Sequence, residues 1–304
     1  MADPPPEDVR ALAERRATER AARNYAAADT LRDLIAAAGW TVVDDPQGFH
    51  LEPAAAAEPT RLRSADVPSV LEEPPTAEVS LHWVVEGWPE DVDRALSSFR
   101  GVAGGRSLQF VVADVTGEPP GRWGADVEVV SLEAGTGWAA ARNAGLRRSR
   151  GTTILALDGS VEATGDVLSP LEAALADPTV GVCGPFGIVT EDLREFREAP
   201  APGDCDAIEG YLMAFRRSTL QLAGGFDERF RWYRSADIEW CFRVRDAWLR
   251  ITSVPVPVAR HEHRMWEAAT PEERDRWSRR NFGAFLDRWR DRWDLTVRGH
   301  TPGA

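Results

Sequence analysis

The second part of the chain alternates between strand-like and helix-like segments from Glu78 onward. Residues 79–85 form an apolar run typical of a buried strand, and the apolar residues between Val92 and Phe99 recur at helical spacing. Further strands are predicted at 108–113, 127–130, 152–157, 207–215 and 251–258, and further helices at 137–150 and 237–248. Alternation of this kind predicts an α/β domain with a mostly parallel sheet.

Two aspartates stand directly after predicted strands. Asp114 follows the strand at 108–113, and Asp158 follows the strand at 152–157 and precedes Gly159 and Ser160. Ligands of such sheets bind at the carboxyl ends of the strands, so both aspartates are candidates for function. A carboxylate there can hold a divalent cation or a ribose hydroxyl, or it can simply cap the next turn. The residues alone leave both interpretations open.

Two later segments carry candidate chemistry. Asp237 and Glu239 open a predicted helix, where the helix dipole favours acids. The dipole alone explains them, although a carboxylate held at a helix start also suits a general base. His261 and His263 are two residues apart on an extended segment, so both side chains are expected on one side, where they could bind a metal. A pair of this kind is more often solvated.

The remaining parts of the chain divide around this domain. Two helical patterns on either side of Asn24 and a hairpin-like segment after Gly39 predict a small module over 1–51. Residues 52–76, rich in alanine, proline and glutamate, are predicted to be a linker. The domain is predicted over 77–265, an amphipathic helical segment over 266–296 and a disordered tail over 297–304. The apolar face of that helix carries Phe282, Phe285, Trp289 and Trp293, and either covers the domain or forms a homodimer contact.

The composition excludes several classes of protein. All 36 basic residues are arginines, so no lysine can form a Schiff base or bind the phosphates of a nucleotide triphosphate. A net charge of −13 argues against general nucleic-acid binding. Three scattered cysteines favour a reducing compartment over a disulfide framework or a zinc site. No apolar run is long enough to span a bilayer, and we predict a cytoplasmic protein without a membrane span.

Five features in one order resemble family 2 glycosyltransferases, over residues 78–263. They are Gly137-Trp-Ala-Ala-Ala-Arg142-Asn143-Ala-Gly145, Ile154-Leu-Ala-Leu-Asp158, Gly224-Gly-Phe-Asp227-Glu-Arg-Phe230, Ala236-Asp237-Ile-Glu239-Trp-Cys-Phe-Arg243, and a histidine at 261 or 263. The resemblance implies the GT-A fold, a Rossmann-like mixed sheet flanked by helices. It also implies transfer of a sugar from a nucleotide-diphosphate donor to an acceptor, normally with inversion.

The resemblance also implies roles for individual residues. Asp237 would be the general base that takes the proton of the acceptor hydroxyl. The other implied roles are nucleotide binding by Asp114, Arg142, Asn143 and Asp158, acceptor binding by Asp227 and Trp232, and a divalent cation, Mg²⁺ or Mn²⁺, at Asp158, Ser160, His261 and His263.

Three positions depart from the family pattern. Ser160 replaces the second aspartate of the Asp-x-Asp motif, Ala113 replaces the first of a pair of aspartates, and Ala236 replaces the glutamate before the base. Each change removes a carboxylate, so weaker metal binding is expected. The alternative to an active enzyme is therefore a catalytically degraded GT-A domain that binds a nucleotide or a sugar, or that serves as a scaffold for protein partners.

The N-terminal module has a resemblance of its own. Residues 19–33 and 39–48 are similar to the small C-terminal domain of bacterial cysteinyl-tRNA synthetases. In that family the module lies beside the anticodon region of the tRNA, which implies RNA binding as one role. A chain without lysine has no Lys-Met-Ser-Lys-Ser loop, so it is not a synthetase. A protein docking contact is the other role that the mixed arginine and glutamate surface suggests.

Overall fold

The computed structural model describes residues 5–45, 48–53 and 60–299. The chain forms two compact units, Met1–Pro59 and Thr60–Ala304. Within the described ranges no helix is both long and apolar enough to cross a membrane.

The smaller unit contains two helices and a hairpin, as predicted. Its elements are α1 (Glu7–Ala21), α2 (Tyr25–Ala37), β1 (Trp40–Asp45) and β2 (Gly48–Pro53). Gly39 ends the second helix with φ of +81°, a conformation that glycine adopts without strain. Val9, Ala13 and Ile35 form the core, and Arg16 donates two hydrogen bonds, of 2.9 and 3.0 Å, to the carboxylate of Asp44 on β1.

The larger unit is built on a mixed eight-stranded sheet flanked by helices, which confirms the predicted fold class. The helices are α3 (Pro89–Arg100), α4 (Trp138–Leu146), α5 (Leu168–Leu175), α6 (Arg217–Ala223), α7 (Ala236–Asp246), α8 (Arg264–Ala268) and α9 (Pro271–Trp289). The strands are β3 (Ala77–Val85), β4 (Leu108–Asp114), β5 (Val127–Ser131), β6 (Gly151–Leu157), β7 (Val161–Ala163), β8 (Val180–Gly184), β9 (Gly187–Thr190), β10 (Phe196–Glu198), β11 (Gly203–Asp204), β12 (Ala207–Ile208), β13 (Leu212–Arg216), β14 (Arg250–Ser253) and β15 (Val258–Arg260).

The strand order of the large sheet is β11-β14-β8-β13-β6-β3-β4-β5. Strands β6, β3, β4 and β5 are parallel to their neighbours in this half, whereas β13 runs antiparallel to both β6 and β8. The carboxyl ends of β3, β4 and β6 therefore meet at one edge of the sheet. Because β13 enters the sheet at the same edge, the loop before it also contributes side chains there.

Apolar side chains cover both faces of this sheet. On one face α3 buries Val92, Ala95, Leu96 and Phe99. On the other face α9 buries Phe285 and Trp289, and the Phe285 ring contacts Phe242 of α7 with ring centres 5.1 Å apart. The apolar face of α9 thus covers the domain, one of the two roles predicted for it. A homodimer contact through this helix stays a prediction.

Several predicted segments differ from the structure. Residues 54–59 of the predicted linker lie outside the described residues, but 60–76 belong to the larger unit, since Leu62 bridges to Leu132 and both Val67 and Val70 are buried. The helix predicted at 137–150 ends at Leu146, and the strand predicted at 207–215 is interrupted between β12 and β13. Of the predicted tail, 300–304 lie outside the described residues, while the Val297 backbone N–H donates to Asp206.

Candidate active site

Asp158 lies directly after β6, at the edge where the carboxyl ends of the parallel strands meet. Its Oδ1 accepts hydrogen bonds from the backbone N–H of Ser160 (2.8 Å) and from Ser160 Oγ (2.5 Å). Its Oδ2 is 3.1 Å from Nε2 of His263. The side chain of Asp158 keeps 25% of its surface exposed, so its carboxylate lines a cleft rather than being enclosed.

The environment of Asp158 favours its ionised form. Burial works to raise the pKa of this carboxyl, but the hydrogen bond and charge interaction with His263 and the hydrogen bonds from Ser160 outweigh burial. The pKa of Asp158 therefore lies below its ordinary value. Ser160, which replaces a carboxylate in the motif, here orients the carboxylate that remains.

The two histidines of the predicted metal set contact different carboxylates. His263 contacts Asp158, whereas Nε2 of His261 lies 2.7 Å from Glu162 Oε2. Across the described ranges 5–45, 48–53 and 60–299, no group of three or more histidine, cysteine, aspartate or glutamate side chains is arranged to hold a metal ion. Of the predicted ligand set, the side chains of Asp158, Ser160 and His263 contact one another, whereas the side chain of His261 contacts Glu162, although its backbone N–H donates to the carbonyl oxygen of Ser160 (2.7 Å).

Asp237 is placed at the start of α7. Its Oδ2 accepts a hydrogen bond from the backbone N–H of Gly210 (2.7 Å), and its Oδ1 accepts one from the N–H of Ile238 (2.9 Å). Burial raises the pKa of Asp237, and these backbone hydrogen bonds oppose the rise without cancelling it. The site thus pairs one carboxyl of raised pKa with another, Asp158, of lowered pKa.

Two tyrosines that sequence reasoning did not assign to the site connect these carboxylates. The backbone carbonyl of Tyr211 accepts a hydrogen bond from the N–H of Asp158 (3.0 Å). The ring of Tyr233 lies 4.3 Å from the imidazole of His263, and the ring of Tyr211 lies 5.8 Å from it. Burial raises the pKa of both phenols, and the charges of Asp158 and Asp237 add to the rise. Asp158 and Asp237 therefore belong to one site.

Glu209 is a third carboxyl of this region that the sequence did not reveal. It precedes Gly210 in the loop between β12 and β13. Burial raises its pKa, and the charge of Asp237 raises it further, while Arg260, whose Nη1 is 3.7 Å away, lowers it. The strands on either side of this loop, β12 and β13, have no more than five residues each. Their sequence therefore has no periodic pattern that would assign Glu209 to the site.

Arg142, predicted to bind the nucleotide, is buried beneath the site. Its Nη1 donates to the carbonyl oxygen and to Nδ1 of His82, both at 2.9 Å, and its Nη2 donates to the carbonyl oxygen of Leu157 at 2.9 Å. It therefore joins β3 to the end of β6. A Cβ on Gly145, one turn further along α4, would lie only 1.8 Å from His82 Nε2, so the glycine of this motif makes room for the imidazole.

Glu86 follows β3 and lines the same cleft as Asp158. Its Oε2 is buried and, among the described residues, has no hydrogen-bond partner. Burial raises the pKa of Glu86 to about 8, and the negative charge of Asp158 acts in the same direction, whereas Arg142 opposes it. Burial also lowers the pKa of Arg142 to about 10, despite the nearby carboxylates.

The other predicted nucleotide ligands, Asn143 and Asp114, are occupied by the protein itself. Asn143 Oδ1 accepts from the N–H of Phe226 (2.7 Å), and its Nδ2 donates to the carbonyl of Phe226 (2.8 Å). It thereby fastens α4 to the Gly224–Phe230 loop. Asp114 is fully buried, and both its oxygens accept hydrogen bonds from Thr116 and Gly117.

The two residues predicted to bind the acceptor, Asp227 and Trp232, lie in the segment between α6 and α7. Asp227 is engaged by Arg229, whose Nη2 is 2.7 Å from Asp227 Oδ2. Trp232 is buried among rings: its centre lies 4.8 Å from that of Tyr233, 5.2 Å from Trp277 and 5.8 Å from Trp266, which it stacks on. The last two tryptophans come from α8 and α9, which sequence reasoning did not connect with the site.

Comparison with known proteins finds a family match in the middle of the chain. Residues 118–239 match the family model described as glycosyl transferase family 2. The resemblance to that family is thereby confirmed for this segment. An alignment 157 positions long, which covers 46% of this chain, is 28% identical to the pre-mycofactocin glycosyltransferase of Mycobacterium tuberculosis. The match covers 33% of that protein, so this chain spans about a third of the length of its curated relative.

A solved structure shows the same fold. The crystal structure of GalNAc-T7 with UDP, GalNAc and Mn²⁺ superimposes with a TM-score of 0.53 at 18% identity, covering 72% of this chain and 50% of that one. The likeness confirms the predicted GT-A architecture of the larger unit.

A separate short match concerns another enzyme. A stretch of 49 residues, 16% of this chain, is 51% identical to the cysteine–tRNA ligase of Opitutus terrae and covers 11% of that protein. RNA binding and protein docking by the N-terminal unit both stay predictions.

Proposed function

We propose that the larger unit transfers a sugar from a nucleotide-diphosphate donor to an acceptor hydroxyl with inversion, and that Asp237 is the general base. The observation that carries the proposal is the pairing of Asp237, a carboxyl of raised pKa, with the Asp158–His263 pair in one site. The match of residues 118–239 to glycosyl transferase family 2 supports it.

In the proposed reaction Asp237 accepts the proton of the acceptor hydroxyl. The hydroxyl oxygen forms a bond to the anomeric carbon of the donor sugar, while the bond from that carbon to the diphosphate breaks on the opposite face. The bonding electron pair leaves with the diphosphate. A base is most effective when its pKa is closer to the working pH, so the raised pKa of Asp237 strengthens it for this step.

The donor is proposed to bind at Asp158. The exposed part of its carboxylate can accept a hydrogen bond from a ribose hydroxyl or take part in binding a cation. Arg142 and Asn143 are proposed to support the site. Arg142 holds the carboxyl end of β6 in place, and Asn143 holds the Gly224–Phe230 loop. Asp114 holds its own turn in the same way.

The ligand atoms available at Asp158 fit a divalent cation that the protein shares with the diphosphate of the sugar donor. Asp158 Oδ2 and His263 Nε2 supply one carboxylate oxygen and one imidazole nitrogen, 3.1 Å apart. Mg²⁺ is usually bound by one or two carboxylates together with substrate phosphates and water, so two protein ligands suffice for a shared site. When bound, the cation would neutralise negative charge on the leaving diphosphate. Mn²⁺ and UDP are present in the solved transferase with the same fold.

The test is a comparison of wild-type protein with Asp237→Asn. Donor hydrolysis and transfer are measured with UDP-, GDP- and dTDP-sugars in the presence of Mn²⁺. Loss of the base is expected to lower turnover about 10²- to 10⁴-fold while the affinity for the donor stays unchanged. Asp246→Asn, at the other end of α7 and paired with Arg292, is the matched control and should keep wild-type turnover. Equal turnover in wild type and Asp237→Asn would refute the assignment of the base.

A second candidate function is donor binding without transfer. It is favoured by Ser160, whose hydroxyl stands where the family pattern has a second carboxylate. The same assay separates the two, because a binding domain would show nucleotide-sugar affinity without turnover that depends on Asp237.

A further inference from the structure

A pocket of about 270 Å³ opens beside the proposed acceptor side of the cleft. Its lining residues are Arg231, Trp232, Trp277, Arg280 and Asn281. We call it the arginine–tryptophan pocket. Asn281 builds its floor by donating hydrogen bonds of 2.8 Å to the carbonyls of Trp232 and Arg234, which ties α9 to the segment before α7.

The arginines around this pocket lack the carboxylate partners that most arginines of the larger unit have, although Arg231 Nη2 donates a hydrogen bond to the carbonyl oxygen of Gly135 (2.6 Å). Within residues 60–299, seven exposed arginines have no carboxylate within 4 Å: Arg61, Arg63, Arg194, Arg231, Arg234, Arg276 and Arg280. Two of these seven, Arg231 and Arg280, line the pocket, while Arg276 lies over the pocket residue Trp277 and Arg234 over the neighbouring Trp266. In a chain of net charge −13, four neighbouring arginines without a carboxylate within 4 Å are unexpected unless they bind a ligand.

The acids of the neighbouring helices make their short contacts with other residues, although the charge of Arg276 acts on Glu273 and that of Arg234 acts on Asp237 and Glu209. Asp275 pairs with Arg279, and Glu267 lies 3.8 Å from Arg274. Glu273 closes the capping box of α9 with Thr270. The two arginines that line the pocket, Arg231 and Arg280, have no ion-pair partner among the described residues.

Tryptophan rings hold some of these guanidinium groups in place while leaving their N–H groups free. Arg234 lies over the ring of Trp266 at 4.8 Å, and Arg276 lies over Trp277 at 5.8 Å. Cation–π contact uses the face of the guanidinium group and leaves its edge available for a carboxylate or a phosphate. Trp232 Nε1, buried and without a hydrogen-bond partner among the described residues, adds a donor at the same place.

The pocket is connected to the site by a short series of rings. The ring of Trp232 lies 4.8 Å from that of Tyr233, which lies 4.3 Å from His263. Arg234, next to Tyr233 in sequence, is also close enough for its charge to act on Asp237. A molecule bound in the pocket can therefore extend along these rings toward the proposed base.

We propose that the arginine–tryptophan pocket binds an anionic group, a carboxylate or a phosphate, of the acceptor. Arg231 and Arg280 donate charge-assisted hydrogen bonds to that group, and Trp232 and Trp277 contact the apolar part beside it. The inference rests on the proposed transfer reaction, since it names the class of acceptor that this reaction uses.

The test compares two probes that differ by one carboxylate, phenyl β-D-glucuronide and phenyl β-D-glucoside. In calorimetric titrations the wild-type protein is expected to bind the glucuronide at least about tenfold more tightly, the size of one charge-assisted hydrogen bond. The double variant Arg231→Gln/Arg280→Gln should lose this preference. The matched control Arg61→Gln/Arg63→Gln, which removes two unpaired arginines elsewhere, should keep it. Phenyl phosphate, titrated in parallel, distinguishes a phosphate site from a carboxylate site.

Two outcomes overturn the inference. The first is equal affinity of the wild-type protein for the glucuronide, the phosphate and the glucoside. The second is an anion preference that survives in the Arg231→Gln/Arg280→Gln variant. UDP and GDP are titrated with Mn²⁺ on the same samples to report the donor site separately. Donor binding without anion preference refutes the pocket and leaves the transfer proposal standing. Anion preference that depends on Arg231 and Arg280, without donor binding, refutes the transfer proposal and leaves the pocket as an anion site.

Discussion

Asp114 and Asp158 are built alike and differ in one contact. Asp114 is the last residue of β4 and Asp158 directly follows β6, and in each the Oδ1 accepts both the backbone N–H and the hydroxyl of the residue two positions later, Thr116 or Ser160. The second oxygen of Asp114 is taken by the N–H of Gly117 at 3.0 Å, which encloses the carboxylate. The second oxygen of Asp158 faces the imidazole of His263 and the cleft.

The comparison separates what local sequence determines from what the fold determines. An aspartate followed by serine or threonine at the second position forms the same turn in both places. Whether that aspartate can bind a ligand depends on its second oxygen, and at Asp158 that oxygen is met by a residue 105 positions away. The turn makes a carboxylate rigid, and the distant histidine makes it part of a site.

The largest expected difference between the two aspartates is in nucleotide binding. Asp158→Asn should weaken binding of the donor nucleotide with Mn²⁺ about 10- to 100-fold, because a charged acceptor is lost. Asp114→Asn should leave that affinity unchanged and lower the free energy of unfolding by about 1–3 kcal/mol, since an amide nitrogen cannot accept from Gly117. Calorimetric titration with UDP and GDP and urea unfolding measure the two effects. Equal loss of affinity in both variants would contradict the distinction.

A second comparison is between Asp158 and Glu86, which line the same cleft. Both oxygens of Asp158 have partners, whereas Oε2 of Glu86 has none among the described residues. Its pKa is raised to about 8, so the folded protein holds this proton between pH 4.5 and 8 while the unfolded chain has released it. The carboxyl therefore lowers stability progressively as the pH rises through this window. Glu86→Gln should be more stable than wild type by about 1–2 kcal/mol at pH 9, with little difference at pH 4.

Urea unfolding at pH 4 and pH 9 measures this gain. A pH-independent difference between Glu86→Gln and wild type would show that Glu86 does not titrate in this way. For Asp158 the sign is opposite: its lowered pKa contributes stability that is lost as the pH falls through the pKa of the folded protein.

The smallest expected effects come from the hydroxyls of the two turns. Ser160→Ala and Thr116→Ala each remove one hydrogen bond to an aspartate and should each lower the free energy of unfolding by about 0.5–1.5 kcal/mol. Only Ser160→Ala should also weaken nucleotide binding, because it loosens the carboxylate that faces the cleft. Thr116→Ala serves as its control. A loss of nucleotide affinity in Thr116→Ala would contradict the view that Asp114 is closed off.

The elements of the sheet were predictable because their apolar runs are unambiguous. The strands at 79–85, 108–113 and 152–157 appear within a few residues of the predicted bounds. Asp158 and Asp237 were identified because each stands next to such an element, in an order that resembles a known family. Burial and partners were not predictable in the same way. The sequence does not show that Asp114 is enclosed or that Arg142 lies beneath the site.

The two histidines show why the rest of the site required the structure. Alternation along a strand places residues two apart on one side, which predicted a shared role for His261 and His263. Strand β15 ends at Arg260, however, and His263 is the N-cap of α8, with its Nδ1 accepting from the N–H of Trp266. The period of a strand no longer applies there. Tyr211 and Glu209 escaped prediction because they fall within the strand predicted at 207–215, which the structure interrupts with a loop between β12 and β13.

The close approach of Gly145 to His82 has a consequence for how such chains can diverge. A single methyl group at position 145 would collide with the imidazole, and moving the imidazole would release Arg142 from one of its three hydrogen bonds, the one to Nδ1 of His82. Positions 82 and 145 therefore cannot drift independently. In an alignment of relatives they should change together, with larger residues at position 145 accompanied by smaller ones at position 82.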